Sequence, residues 1–586
     1  MIPRRSRGSA LAALALAAAA CSQQGSRASA PAVPPAAEVG RLAEEYFAGF
    51  IERFPEEATF LGAAQTPANR LTDLSAGARR AWEAREDAWL ARLQPIDPAR
   101  LPDAEAASYG IVRERIEASR ASRVCRLEVW RVSQVDGWQV TIPRLGVLQR
   151  VDTPAARAAA LARWRAVPHL VDQDIANLRE GMRSGYTAPR GNVAAVIKQV
   201  DALLAAAPEV SPYAVLAKRD STPAFRTAVV VAVRDEINPA LHRYRQFLAE
   251  EYLPVARANV GVSAIPNGAD CYRARIRFYT TLPLEPRAVH ELGLAQMARI
   301  EGEMRTIAER SFGTSDVPGL LQRLRTDPRY LYRSRADLIA QADSAIGRAH
   351  AAMPKWFGRL PVADVIIDPC QPFEEASGCP GSYVPPAEDG SRPGRYRINA
   401  GDPTSRPRAS GEATAFHETI PGHHLQVAIA QERAGADHAS RFLFNSGFAE
   451  GWALYAERLA DEMGLYSSDL ARLGLLSNDA LRAARLVVDP GLHALGWTRQ
   501  QAIDYMLAHT EQSRGFIESE VDRYIIWPGQ ATAYMVGRLE IERLRAQAQA
   551  KLGPRFDIRI FHDRVLEGGS VPLGVLRGRI EQWLGR

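Results

Sequence analysis

Lysine is almost missing from this chain: Lys198, Lys218, Lys355 and Lys551 are the only four among 73 basic residues in a length of 586. None follows a glycine, so the Gly-Lys pair that cradles phosphates in nucleotide triphosphatases is excluded. The Gly-x-Ser-x-Gly turn of serine hydrolases is missing too, because Gly568-Gly569-Ser570 runs into Val571-Pro572. No Cys-x-x-Cys spacing occurs, which argues against a cysteine-ligated metal. No self-similarity at a fixed period is evident, so a solenoid is not expected. The formal charge is +6, and Arg4, Arg5 and Arg7 supply half of it. That balance is too weak for a nucleic-acid partner.

What is present begins with a leader. Three arginines, the apolar run Ala10 to Ala20 and then Cys21 follow the order of an export signal, and the run is too short to span a bilayer. Residues 1–20 are expected to be removed, leaving Cys21 to carry a lipid as the membrane anchor; plain secretion is the alternative. Residues 21–37, rich in Ser, Ala and Pro, would be a flexible tether. Four further cysteines suit an oxidising compartment. The short spacing of Cys370 and Cys379 permits one disulfide, with Cys125 and Cys271 as a second pair. The expected location is the periplasmic side of the cell envelope.

From residue 38 to about 355, apolar residues recur at three-and-four spacing, as in Leu42, Tyr46, Phe47 and Phe50, which predicts long antiparallel helices. Between 360 and 400 the β-branched run Val362, Val365, Ile366, Ile367 and the segment Tyr396-Arg397-Ile398 predict a small hairpin or sheet. Helical spacing returns after Ser410. The expected fold is mainly α, a helical catalytic unit over 38–586 in two lobes, 38–355 and 356–586, around a deep cleft.

A zinc peptidase needs two imidazoles and usually a carboxylate on the metal, plus a separate carboxylate to take a proton from water. His417-Glu418-Thr419-Ile420-Pro421-Gly422-His423-His424 offers these groups, but four residues rather than two separate Glu418 from the next histidine. On an unbroken helix His423 would be turned about 120° from His417, and His424 would face correctly but sit roughly 10 Å along. Pro421 and Gly422 therefore predict a local bulge. Read this way the segment resembles the HExGH helices of glutamate-zincin peptidases with two residues inserted, which favours His423 over His424 as the ligand. Ser446 to Glu457, containing Glu450-Gly451-Trp452-Ala453, resembles the helix that supplies their third ligand. Glu450 is thus the expected ligand, and Glu457 is expected to orient it or an imidazole. In Trp527 to Gly537, Tyr534 and Gln530 are candidates to stabilise an oxyanion, with Arg523 able to meet a peptide carboxylate.

By HETIPGHH, GFAEGWALYAERL, DGSRPGRYRIN, WPGQATAY and FHDRVLEGGSVPL the chain resembles the bacterial lipoproteins grouped as domain of unknown function 885. That resemblance implies a mainly helical fold and a zinc site. The expected arrangement is Zn²⁺ on His417, His423 and Glu450, Glu418 as general base, and His424 and Tyr534 beside the oxyanion. Expected substrates are short peptides. The same ligands would also serve a metal-dependent amidase or esterase, and an inactive peptide-binding lipoprotein is the remaining alternative.

Overall fold

The computed structural model describes residues 34–64, 67–371, 375 and 381–585. The leader, Cys21 and most of the expected tether lie outside them, while helix α1 (Pro35–Arg53) already starts within the stretch read as tether. Its buried stripe of Val39, Leu42, Tyr46, Phe47 and Phe50 follows the three-and-four spacing of the sequence. Among the described residues no helix is long and apolar enough to cross a membrane.

The fold is mainly helical with one small sheet. β1 (Val365–Pro369), β2 (Ser382–Val384) and β3 (Gly394–Ile398) order as β1-β3-β2, with β1 parallel and β2 antiparallel to β3. Val362 does not extend β1: it is exposed, and its backbone N–H donates to Glu432. One apolar core joins α1 and α2 (Asp103–Ser122) to the helices that carry the histidines, and a second gathers residues between Val132 and Ala256. Cys125 and Cys271 are bonded to each other. Cys370 is also disulfide-bonded, and Cys379 lies outside the described residues.

Close helix crossings set up the site. The 27-residue α3 (Pro286–Phe312) lies along the 26-residue α7 (Asp469–Ala494), where a Cβ on Gly293 would come within 2.8 Å of Leu486. A second crossing pairs α6 (Ser446–Glu462) with α9 (Ala533–Leu552) through glycines. A Cβ on Gly451 would stand 2.5 Å from Gly537, and one on Gly537 only 1.8 Å from the Gly447 carbonyl. The backbones touch there, which brings Glu450 of α6 and Tyr534 of α9 to the same region.

Candidate metal centre

The histidine motif occupies two short helices with a break between them. α4 (Gly411–Glu418) stops at Glu418, and α5 (His423–Gln431) begins at His423. The expected bulge is therefore a full interruption of the helix over Thr419 to Gly422. Pro421 cannot donate a backbone hydrogen bond. Its peptide bond to Ile420 is cis, and its carbonyl accepts from the Trp452 indole at 2.9 Å. Gly422 folds back so that its N–H donates to the Phe416 carbonyl at 3.0 Å. A Cβ at Gly422 would lie 2.0 Å from the His417 carbonyl oxygen, so only glycine fits.

The break redirects His423. Its ring centroid comes to 4.8 Å from that of His417, nearly perpendicular to it. Glu450 Oε2 lies 3.5 Å from His417 Nε2 and 3.4 Å from His423 Nε2, and the three ligand atoms all fall within 4.8 Å of one another. Zinc bonds of about 2.0–2.1 Å in a tetrahedron set ligand atoms about 3.3–3.4 Å apart. The donor set and its spacing thus fit a zinc ion.

Glu457, two turns along α6 from Glu450, is fully buried and accepts from His417 Nδ1 at 2.8 Å. That bond leaves Nε2 free to face Glu450, an arrangement that fixes tautomer and ring orientation in many metal sites. Arg482 Nη2 on α7 lies 3.3 Å from the same Glu457 Oε1. Burial disfavours an imidazolium at His417, but Glu450 and Glu457 outweigh it and push the ring up to about 9. Burial also opposes ionisation of Glu450, and the two histidines hold it well below the usual carboxylate range. Glu418 follows His417 directly and is buried. Burial raises its pKa, which suits a proton acceptor that must later give the proton up.

His424 turns away from the other two imidazoles. Its Nε2 lies 2.8 Å from the Ala363 carbonyl and must donate to it, so Nδ1 accepts from the Tyr383 hydroxyl at 3.0 Å. Burial pushes this ring down to about 4. Neither nitrogen remains to serve an oxyanion, and Tyr383 was not anticipated from the sequence. Gly394, inside the DGSRPGRYRIN segment, was the available signal: a Cβ there would sit 2.8 Å from His424 Nδ1 and 3.0 Å from the Tyr383 hydroxyl. Tyr383 stacks 6.5 Å from the His423 ring, and the exposed Phe444 lies at 6.5 Å on another side.

Tyr534 stacks 6.5 Å from the His417 ring, and its hydroxyl is 3.4 Å from Gln530 Nε2. Burial raises its pKa and the Glu450 charge adds to that, so it stays a hydrogen-bond donor. Arg523 does not stand free: it makes a two-pronged pair with Glu520, at 3.0 Å through Nε and 2.9 Å through Nη2.

Two crystal structures share the architecture. A putative lipoprotein from Colwellia psychrerythraea is 28% identical with a TM-score of 0.88, over 94% of this chain and 100% of that one. A putative lipoprotein of unknown function from Shewanella oneidensis shares the fold at 17% identity and a TM-score of 0.71, over 93% and 99%. No curated protein matches the chain. Over residues 55–580 the sequence matches the family described as bacterial protein of unknown function (DUF885), and the chain belongs to that family.

Proposed function

We propose that the protein is a zinc-dependent peptidase acting on short peptides at the periplasmic side of the cell envelope, held there by a lipid on Cys21. One observation carries this reading: candidate ligand atoms of His417, His423 and Glu450, from three separate helices, converge within 4.8 Å of one another beside the buried carboxylate of Glu418. When bound, the ion would supply a Lewis acid for the scissile carbonyl and make a water more acidic. Glu418 takes the proton of that water as its hydroxyl adds to the acyl carbon, then delivers the proton to the leaving amine. Glu457 holds His417 in one tautomer. Tyr534 donates toward the oxygen on which negative charge develops, with Gln530 limiting its rotation. His424, whose two nitrogens are taken by the Ala363 carbonyl and the Tyr383 hydroxyl, has no part in this scheme.

The test combines elemental analysis with a panel of short peptides and simple esters. The expected result is about one zinc per chain and peptide cleavage that Glu418→Gln lowers about 10²-fold or more while metal content stays the same. Esters cleaved in preference to peptides, or normal turnover by Glu418→Gln, would overturn the assignment.

A further inference from the structure

Behind Tyr534 lies a charge imbalance that the chemistry above leaves unused. Arg485 of α7 and Arg523 of α8 (Arg514–Ile526) share a single carboxylate, Glu520. Arg485 Nη2 donates to it at 2.7 Å and Arg523 Nη2 at 2.9 Å. Arg485 Nε donates to the Tyr524 hydroxyl at 2.9 Å, and Tyr524 in turn donates to Glu520 at 2.7 Å. Arg523 Nη1 donates to Gln530 Oε1, which leaves the Gln530 amide to face Tyr534. The third nitrogen of Arg485, Nη1, has no partner, although the side chain is only 7% exposed. Burial opposes ionisation of Glu520, but the arginines hold it far below the carboxylate range, so the cluster carries one positive charge in excess. Neighbouring charges do not cancel it. Asp489 accepts from Tyr272 and from the Gly529 N–H, and burial pushes its carboxyl up to about 7. Arg131 is matched by Asp136.

An uncompensated buried guanidinium is costly, and charged groups so placed gather at functional sites. The position fits a substrate group. Arg485 Cζ sits 4.2 Å over the Tyr534 ring, which is 6.5 Å from the His417 ring, so the guanidinium lies within about 11 Å of the ligand. A peptide spans about 3.3–3.6 Å per residue, so at most about three residues beyond the cleaved bond bridge that distance.

We infer that the Arg485 and Arg523 pair binds the free C-terminal carboxylate of the peptide, making the enzyme one that removes at most about three residues from the C-terminus. This rests on the peptidase reading, and Gln530 serves here as a positioning residue between Arg523 and Tyr534. The open Nη1 of Arg485 is the donor to the carboxylate, and Arg523, whose nitrogens meet Glu520 and Gln530, contributes its charge.

The experiment uses the full chain and three forms of one peptide: the free acid, its C-terminal amide, and the amide ending in glutamate. Binding is measured by calorimetry on chelator-treated protein, and products of the zinc-loaded protein are read by mass spectrometry. The free acid is expected to bind about 10-fold or more tightly than the amide and to release a C-terminal fragment of at most about three residues. Arg523→Gln removes the difference between acid and amide, and Arg523→Lys, which keeps the charge, restores part of it; circular dichroism verifies that both fold. Equal binding and cleavage of acid and amide would overturn the carboxylate site and leave the peptidase standing. Preferential binding of the glutamate amide would overturn it in favour of an acidic side chain. Tight binding of the free acid with no cleavage of any peptide would sink the peptidase reading while the carboxylate site survives.

Discussion

His417 and His423 reach the same point from regions built on different principles. His417 ends an uninterrupted helix, and its second nitrogen is tied to Glu457 and through it to Arg482. His423 starts a new helix after a break, and its Nδ1 is buried without a partner. One imidazole is held by a chain of charges, while the other is aimed by backbone alone. Preorganisation by outer hydrogen bonds and placement by chain direction can therefore complete one site together.

The largest expected difference between the two is in stability. With metal chelated, His417→Ala leaves buried Glu457 with Arg482 alone and also takes a partner from Glu450, at a cost of about 2–3 kcal/mol, whereas His423→Ala, which takes a partner from Glu450 only, should cost about 1 kcal/mol. Urea denaturation decides it, and equal losses would show that Glu457 does not brace His417. Both variants should lose metal by elemental analysis, whereas His424→Ala should retain it.

Glu450 and Glu457 sharpen the contrast within one helix. Glu450→Gln should nearly abolish zinc binding in competition with a chelating dye, and Glu457→Gln should weaken it by about 10–100-fold. The reverse order would exchange their roles.

The backbone-built arm is probed by Gly422→Ala. A methyl group 2.0 Å from the His417 carbonyl forces the turn open, at a cost of about 1–3 kcal/mol. A thermal melt and zinc titration should both register the loss. An unchanged zinc affinity would mean that this turn does not aim His423.

The smallest effect concerns an acid without a cation. Burial pushes Asp489 up to about 7, and its neutral form is thus favoured in the fold. The unfolded chain releases that proton near pH 4 and the folded chain near pH 7, so the associated stability is present below about pH 4 and declines as pH rises to 7. Asp489→Asn should flatten this part of the stability profile in urea titrations from pH 4 to 8. Glu511, also pushed up to about 7 by burial, should preserve part of the slope.

Much of this was legible in the chain. The spacing of Leu42, Tyr46, Phe47 and Phe50 announced α1, and Glu450-Gly451-Trp452-Ala453 marked α6. The run at Val365 and the Tyr396 segment marked paired strands, although their parallel register depends on β2 entering beside β3 rather than between them. Tyr383 and the shared Glu520 were not legible, because no local spacing links Tyr383 to His424 or Arg485 to Arg523. His424 shows the limit most plainly. Its place beside His423 suggests a shared task, yet consecutive residues on a helix diverge by about 100°, and the Ala363 carbonyl and Tyr383 hydroxyl decide where its ring points.

The sequence by itself determined which groups could bind a metal, that Pro421 and Gly422 disturb the helix through the histidines, and that most of the remainder is helical. These follow from side-chain chemistry and local backbone limits, which act over a few residues. Only the tertiary structure decided which imidazole meets Glu450, which carboxylate braces His417, and that two arginines share one acid behind Tyr534. Those outcomes depend on where helices cross, and the crossings are set by glycines on separate segments, Gly447, Gly451 and Gly537, whose backbones must touch before the side chains beside them can meet.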